Sequence, residues 1–94
     1  MHAVLIEVDT SGQPDREVGL KNLREQVVPG VRQAPGFHAG YWLRPLADGK
    51  GTSLVLFDTQ ENAEAASQAL GVGGSPMPGV TVVRREVREV AASA

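Results

Sequence analysis

There is no cysteine in this chain. Its absence rules out disulfides and thiolate metal sites as ways of holding a small domain together. Basic charge is also scarce. Nine Lys and Arg stand against eleven Asp and Glu, for a formal net charge of -2 and a pI of about 5.6. A nucleic-acid binder normally carries a basic face, so that class is disfavoured. No apolar run approaches the ~18 residues that span a bilayer. The segment Met1-His2-Ala3-Val4-Leu5-Ile6-Glu7 has no basic region ahead of its short apolar stretch, so a signal peptide is not expected either. The expected location is the cytoplasm, with no membrane partner. Aromatic residues are few: one Trp, one Tyr and two Phe.

What is present suits one globular domain. Hydrophobic residues make up 41% and charged residues 21%, too apolar a balance for a disordered chain. Ninety-four residues bury a modest fraction of their surface, so packing or a partner subunit must add stability. Nothing divides the chain, and residues 1–94 are expected to form a single domain.

Residues 2–9 read as a strand that stops at the turn cluster Asp9-Thr10-Ser11-Gly12-Gln13-Pro14. A helix is expected from about Asp15 to Ala34. Leu20, Leu23, Val27 and Val31 line one face of it, and Lys21, Arg24, Glu25 and Arg32 fall largely off that stripe. Pro29 removes a backbone donor and predicts a kink or break near Val28. Pro35-Gly36 ends the helix. Strands over 37–44 and 51–57 form a hairpin around Asp48-Gly49. Asp58 is expected to cap a second, alanine-rich helix, with Glu61 three residues on as in a capping box. A glycine-rich loop over 71–79 leads to a last strand over 80–90. That loop follows a helix and precedes a strand, the reverse of the order a phosphate loop requires.

The order strand, helix, hairpin, helix, strand is the ferredoxin-like βαββαβ order: an α+β fold with an antiparallel sheet and two helices on one face. Strand residues alternate between faces. Val4, Ile6 and Val8 oppose Ala3 and Leu5. Phe37, Ala39, Tyr41 and Leu43 oppose His38, Gly40, Trp42 and Arg44. Leu54 and Leu56 oppose Val55 and Phe57. Both faces are apolar, and two helices cover only one of them. An exposed apolar sheet face is uncommon on a monomer, so a homodimer through sheet-to-sheet packing is expected.

Several segments resemble the dimeric α+β barrel superfamily, which includes antibiotic biosynthesis monooxygenase-like and stress-responsive A/B barrel proteins. They are Ala34-Pro35-Gly36-Phe37, Gly40, Leu43-Arg44-Pro45, and Phe57-Asp58-Thr59-Gln60-Glu61-Asn62-Ala63. The resemblance implies a dimeric barrel and leaves activity open, because members range from cofactor-free oxygenases and haem-degrading enzymes to proteins without known activity. Haem-degrading members carry a tryptophan at the end of the third strand, where this chain has Phe57. Their second helix bears a ligating histidine, and residues 59–70 hold none. Their first-strand asparagine falls near Leu5 here. No haem, flavin or other cofactor is therefore expected. Two histidines without cysteine or tight acidic spacing also make a poor metal set.

The candidate ligand-binding residues are His38, Tyr41, Trp42 and Arg44. A histidine exchanges protons near neutral pH, an arginine stabilises a carboxylate or oxyanion, and a tryptophan stacks on a flat ring. The same residues equally suit a dimer interface. Glu7 and Asp9 read either as bases or as solvated strand-end carboxylates, the latter being far commoner. Arg84-Arg85-Glu86-Val87-Arg88-Glu89 alternates in sign, as an exposed or cross-subunit ion-pair strand does. Two functions follow. One is a homodimeric protein that binds a small, partly aromatic ligand without matched catalytic residues. The alternative is a cofactor-independent monooxygenase or cyclase acting on a small aromatic substrate. RNA binding on the sheet needs aromatics with basic charge, which the composition withholds.

Overall fold

Val4, Leu5, Ile6 and Val8 suit a pleated backbone, and they lie in strand β1, His2–Asp9. The computed structural model describes residues 1–12, 15–46, 49–69, 73–74 and 79–94. The tip of the expected hairpin turn and most of the glycine-rich loop over 71–79 lie outside these residues. Helix α1, Arg16–Asn22, begins at Asp15, whose side chain accepts from the Glu17 N–H at 2.8 Å. The helix then changes type. Leu23–Val27 forms a π-helical turn, closed by the Val28 N–H reaching back to the Leu23 carbonyl. Helix α2, Val28–Arg32, follows directly, with Pro29 in its first turn. Residues on both sides are helical, and Pro29 has no N–H to give to the turn before it. The break expected near Val28 is thus a change of hydrogen-bond register within one continuous helical run.

Strand β2 is Phe37–Leu43 and β3 is Lys50–Phe57. Helix α3, Gln60–Gln68, is capped by Thr59 and not by Asp58 as the sequence suggested. The Thr59 hydroxyl accepts from the Asn62 N–H at 3.1 Å, while Asp58 accepts from the Asn62 side-chain amide at 2.9 Å. Two adjacent residues both had capping side chains, and the extended backbone of Thr59 decides between them. Strand β4, Thr81–Glu89, completes the fold. The sheet order is β2-β3-β1-β4, with every neighbouring pair antiparallel. This is a small α+β architecture, compatible with a ferredoxin-like fold. Among the described residues no helix is long and apolar enough to cross a membrane.

The core lies on one side of the sheet. Val4, Val55 and Phe57 pack there beneath Ala63 of α3, with Val31, Ala34 and Ala66 from the helices alongside. Phe37 meets Phe57 edge to face, with centroids 6.4 Å apart. Arg85 sits opposite Ile6 on the helix side and donates to the Ser67 carbonyl at 2.6 Å, near the C-terminal end of α3. Arg84, Glu86 and Arg88 occupy the other face opposite Glu7, Leu5 and Ala3. Glu86 takes a hydrogen bond from Arg88 Nε at 2.6 Å and an ion pair from Arg84. These contacts, Arg88 first, hold the Glu86 carboxyl below its ordinary range. On β4, then, Arg84 and Arg88 share Glu86, while Arg85 turns to the helix side.

Gly36 fixes how the helical run joins β2. Its φ is +77°, a left-handed conformation. A Cβ there would collide with Asp58 Oδ1 and Asn62 Nδ2, and the Gly36 carbonyl accepts from the Asp58 N–H at 3.0 Å. Both backbone and space exclude a side chain. Gly36→Ala is expected to lower unfolding free energy by about 1–3 kcal/mol, read as a reduced urea midpoint. An unchanged midpoint would contradict the packing described.

Candidate functional site: a cavity between sheet and helical run

Helix α3 is faced with alanine and rests directly on β1, β3 and β4. The first helical run presents larger side chains and stands off the other half of the sheet. Between them lies a cavity of about 640 Å³. Its roof is Leu20, Leu23, Val27, Val28 and Val31. Its floor consists of two cross-strand rows, Ile6–Ser53–Trp42 and Val8–Gly51. Ser53 and Gly51 are the small members, and their size leaves the space unfilled. Pockets of this volume, mostly apolar with a few polar groups, are the usual form of small-molecule sites.

The lining also holds polar groups. Arg16 and Arg24 come from the helical run, Arg44 and Pro45 follow β2, and Thr10 and Gly49 come from the turns. Arg16 Nη2 lies 3.5 Å from the Pro45 carbonyl, a long contact between the two walls. Thr10 donates its hydroxyl to the Gly49 carbonyl at 2.6 Å, which ties the β1 turn to the start of β3.

The four residues singled out from the sequence separate. Trp42 and Arg44 line the cavity, whereas Tyr41 and His38 do not. Tyr41 and Trp42 separate by ordinary alternation, and upstream of them the register is irregular between Phe37 and Ala39. Phe37 pairs with Phe57 on the helix side, then Gly40 and Trp42 pair with Val55 and Ser53 on that same side. Phe37 therefore does not share a face with Ala39, Tyr41 and Leu43, as simple alternation implied. His38 occupies the irregular position and is exposed. Arg44 lies beyond the end of the strand. Tyr41, 57% exposed, stands on the face away from the helices. A bulge of this kind needs no glycine or proline at the extra position, and the sequence around His38 carries no mark of it.

Of the two acidic candidates, Asp9 is engaged in its own turn. It accepts from the Ser11 N–H at 2.8 Å, and hydrogen bonds from Ser11 hold its carboxyl below the ordinary range. Glu7 lies on the face away from the helices, opposite Thr52 and Arg84. Among the described residues, no three His, Cys, Asp or Glu come together in a metal-binding group. Sequence reasoning missed Arg16 and Arg24, having placed Arg24 off the apolar stripe. Their spacing to Leu20, four residues on either side, was the available sign.

No protein-family model matches the chain, and no curated relative matches it at a significant level.

Trp42 is held by a glycine. A Cβ at position 40 would come 2.7 Å from the indole ring and 3.5 Å from Phe37 Cε2. The ring thus lies back over Gly40 and leaves the cavity floor open. Gly40→Ala is expected to push the indole toward the cavity. The emission maximum of Trp42, the chain's one tryptophan, should then shift, and stability should fall by about 1–3 kcal/mol. Coincident emission and denaturation curves for variant and wild type would refute this seating.

Proposed function

We propose that the chain is a homodimeric small-ligand-binding protein of the dimeric α+β barrel type, built on a ferredoxin-like fold, with its ligand in the cavity over Trp42. The cavity carries this reading. It has the volume and composition of a small-molecule site, and Trp42 offers an aromatic surface for a flat, apolar ligand. The alternative, a monooxygenase or cyclase, calls for a proton-transfer group beside the substrate. His38, the histidine offered for that task, is exposed and outside the lining, which favours binding over catalysis.

The face away from the helices supports the second subunit. Leu5, Leu54 and Leu56 lie there only partly buried, beside Tyr41 and Leu43, which are 57% and 58% exposed. The charges on this face lie on β4, where Glu86 pairs with Arg84 and Arg88, and at Glu7 of β1, opposite Arg84. Packing a second copy against its leucines removes apolar surface from water.

Sedimentation equilibrium should give twice the 9.9 kDa chain mass. Leu54→Asp, on the open face, should weaken association by at least about a hundredfold and leave the monomer folded. Val55→Asp, under the helices, should unfold it. A monomeric wild type refutes the dimer. For the cavity, the neutral probe N-phenyl-1-naphthylamine should bind with enhanced fluorescence and quench Trp42. Ser53→Phe, which fills the floor, should weaken that binding at least about tenfold. Equal binding by wild type and Ser53→Phe would place the probe elsewhere.

A further inference from the structure

The cavity is largely apolar, and the charged residues of its lining are all cationic. Arg16, Arg24 and Arg44 all belong to its lining, and its described lining residues include no aspartate or glutamate. The three arginines are exposed, and they arrive from two separate walls, the helical run and the segment after β2. The ion pairs among the described residues join Arg84 and Arg88 to Glu86 on the opposite face of the sheet. Neither Arg24 nor Arg44 enters one of them. The chain as a whole is acidic, with a net charge of -2, so three cations and no acid in one lining run against its overall balance. Like charges brought together repel one another, and an anion between them relieves that repulsion while gaining charge-assisted hydrogen bonds.

We infer that the ligand is an amphipathic anion, with an apolar body over Trp42 beneath the helical run and one acidic head group between Arg16, Arg24 and Arg44. This rests on reading the cavity as a binding site and adds the chemical class of its occupant. The guanidinium group matches carboxylate and phosphate alike, so the shared chemistry is an oxyanion on an apolar, ring-bearing body. Arg24 and Arg44 supply the charge from opposite walls. Arg16, already in contact with the Pro45 carbonyl, bridges those walls.

The test uses displacement of N-phenyl-1-naphthylamine by three compounds with the same ring system: 2-naphthoate, 2-naphthyl phosphate and 2-naphthol. The inference expects at least one acid to displace the probe about tenfold better than the naphthol at low salt, with the advantage shrinking as salt is raised. Whichever acid ranks first then identifies the head group. Arg24→Gln and Arg44→Gln, both at exposed positions, should each remove most of that advantage, weakening the acid more than 2-naphthol. Equal displacement by all three compounds would overturn the anionic inference and leave the cavity standing as a binding site. An acid preference that survives both substitutions would overturn it too, by locating the anion elsewhere. Failure of wild type to bind the neutral probe at all would instead remove the binding reading itself, and this inference with it.

Discussion

The closeness of α3 to the sheet sets the rest of the structure. Ala63 has no accessible surface, and its methyl group rests among Val4, Val55 and Phe57. Only a small residue lets a helix approach so near. The first helical run faces the sheet with Leu20, Leu23, Val27 and Val31, so it cannot sit at the same height. Beneath it the sheet offers Gly51 and Ser53, which do not rise to meet it. The cavity is the difference between these two heights, and it follows from the choice of alanine on one helix and branched residues on the other.

The same asymmetry leaves the core thin. The largest fully buried side chains are Phe57 and Val82, a small complement for a chain of this length. Leucines that other small domains would bury here line a cavity or face away from the helices. Whatever occupies those surfaces binds the folded chain and not the unfolded one, and so raises stability in proportion to its concentration. Folding and recognition in this molecule therefore draw on the same apolar surface.

The sequence was most legible where local chemistry and global pattern agreed. Turn clusters and period-two alternation located the strands, and Pro29 marked the helical discontinuity. The π-type closure was not readable, because it depends on which carbonyl the Val28 N–H selects. Asp58 and Thr59 offered similar caps, and backbone geometry alone separated them. The irregularity at His38 was the costliest omission. One extra residue in a strand reverses the faces of everything on one side of it, and so Phe37 and Trp42, expected on opposite faces, share one. For the site, Trp42 was visible as the one tryptophan. That Arg16 and Arg24 line the same cavity as Arg44 was not, since this depends on how the helical run is laid across the sheet.

The strand order also dictates a sequence in time. β1 is a central strand, hydrogen-bonded to β3 and β4, and both of its partners are synthesised long after it. Only the β2–β3 hairpin joins neighbours in the chain. A ribosome therefore releases β1 before either of its partners, and its pairing with β3 waits until residues 50–57 have emerged. Closing so long a loop carries an entropic cost before its contacts reward it. The hairpin is then the natural template, β1 the strand captured by it, and β4 the last to dock. During that interval the nascent chain exposes the segment Ala3-Val4-Leu5-Ile6, whose protection falls to whatever meets the polypeptide as it leaves the exit tunnel.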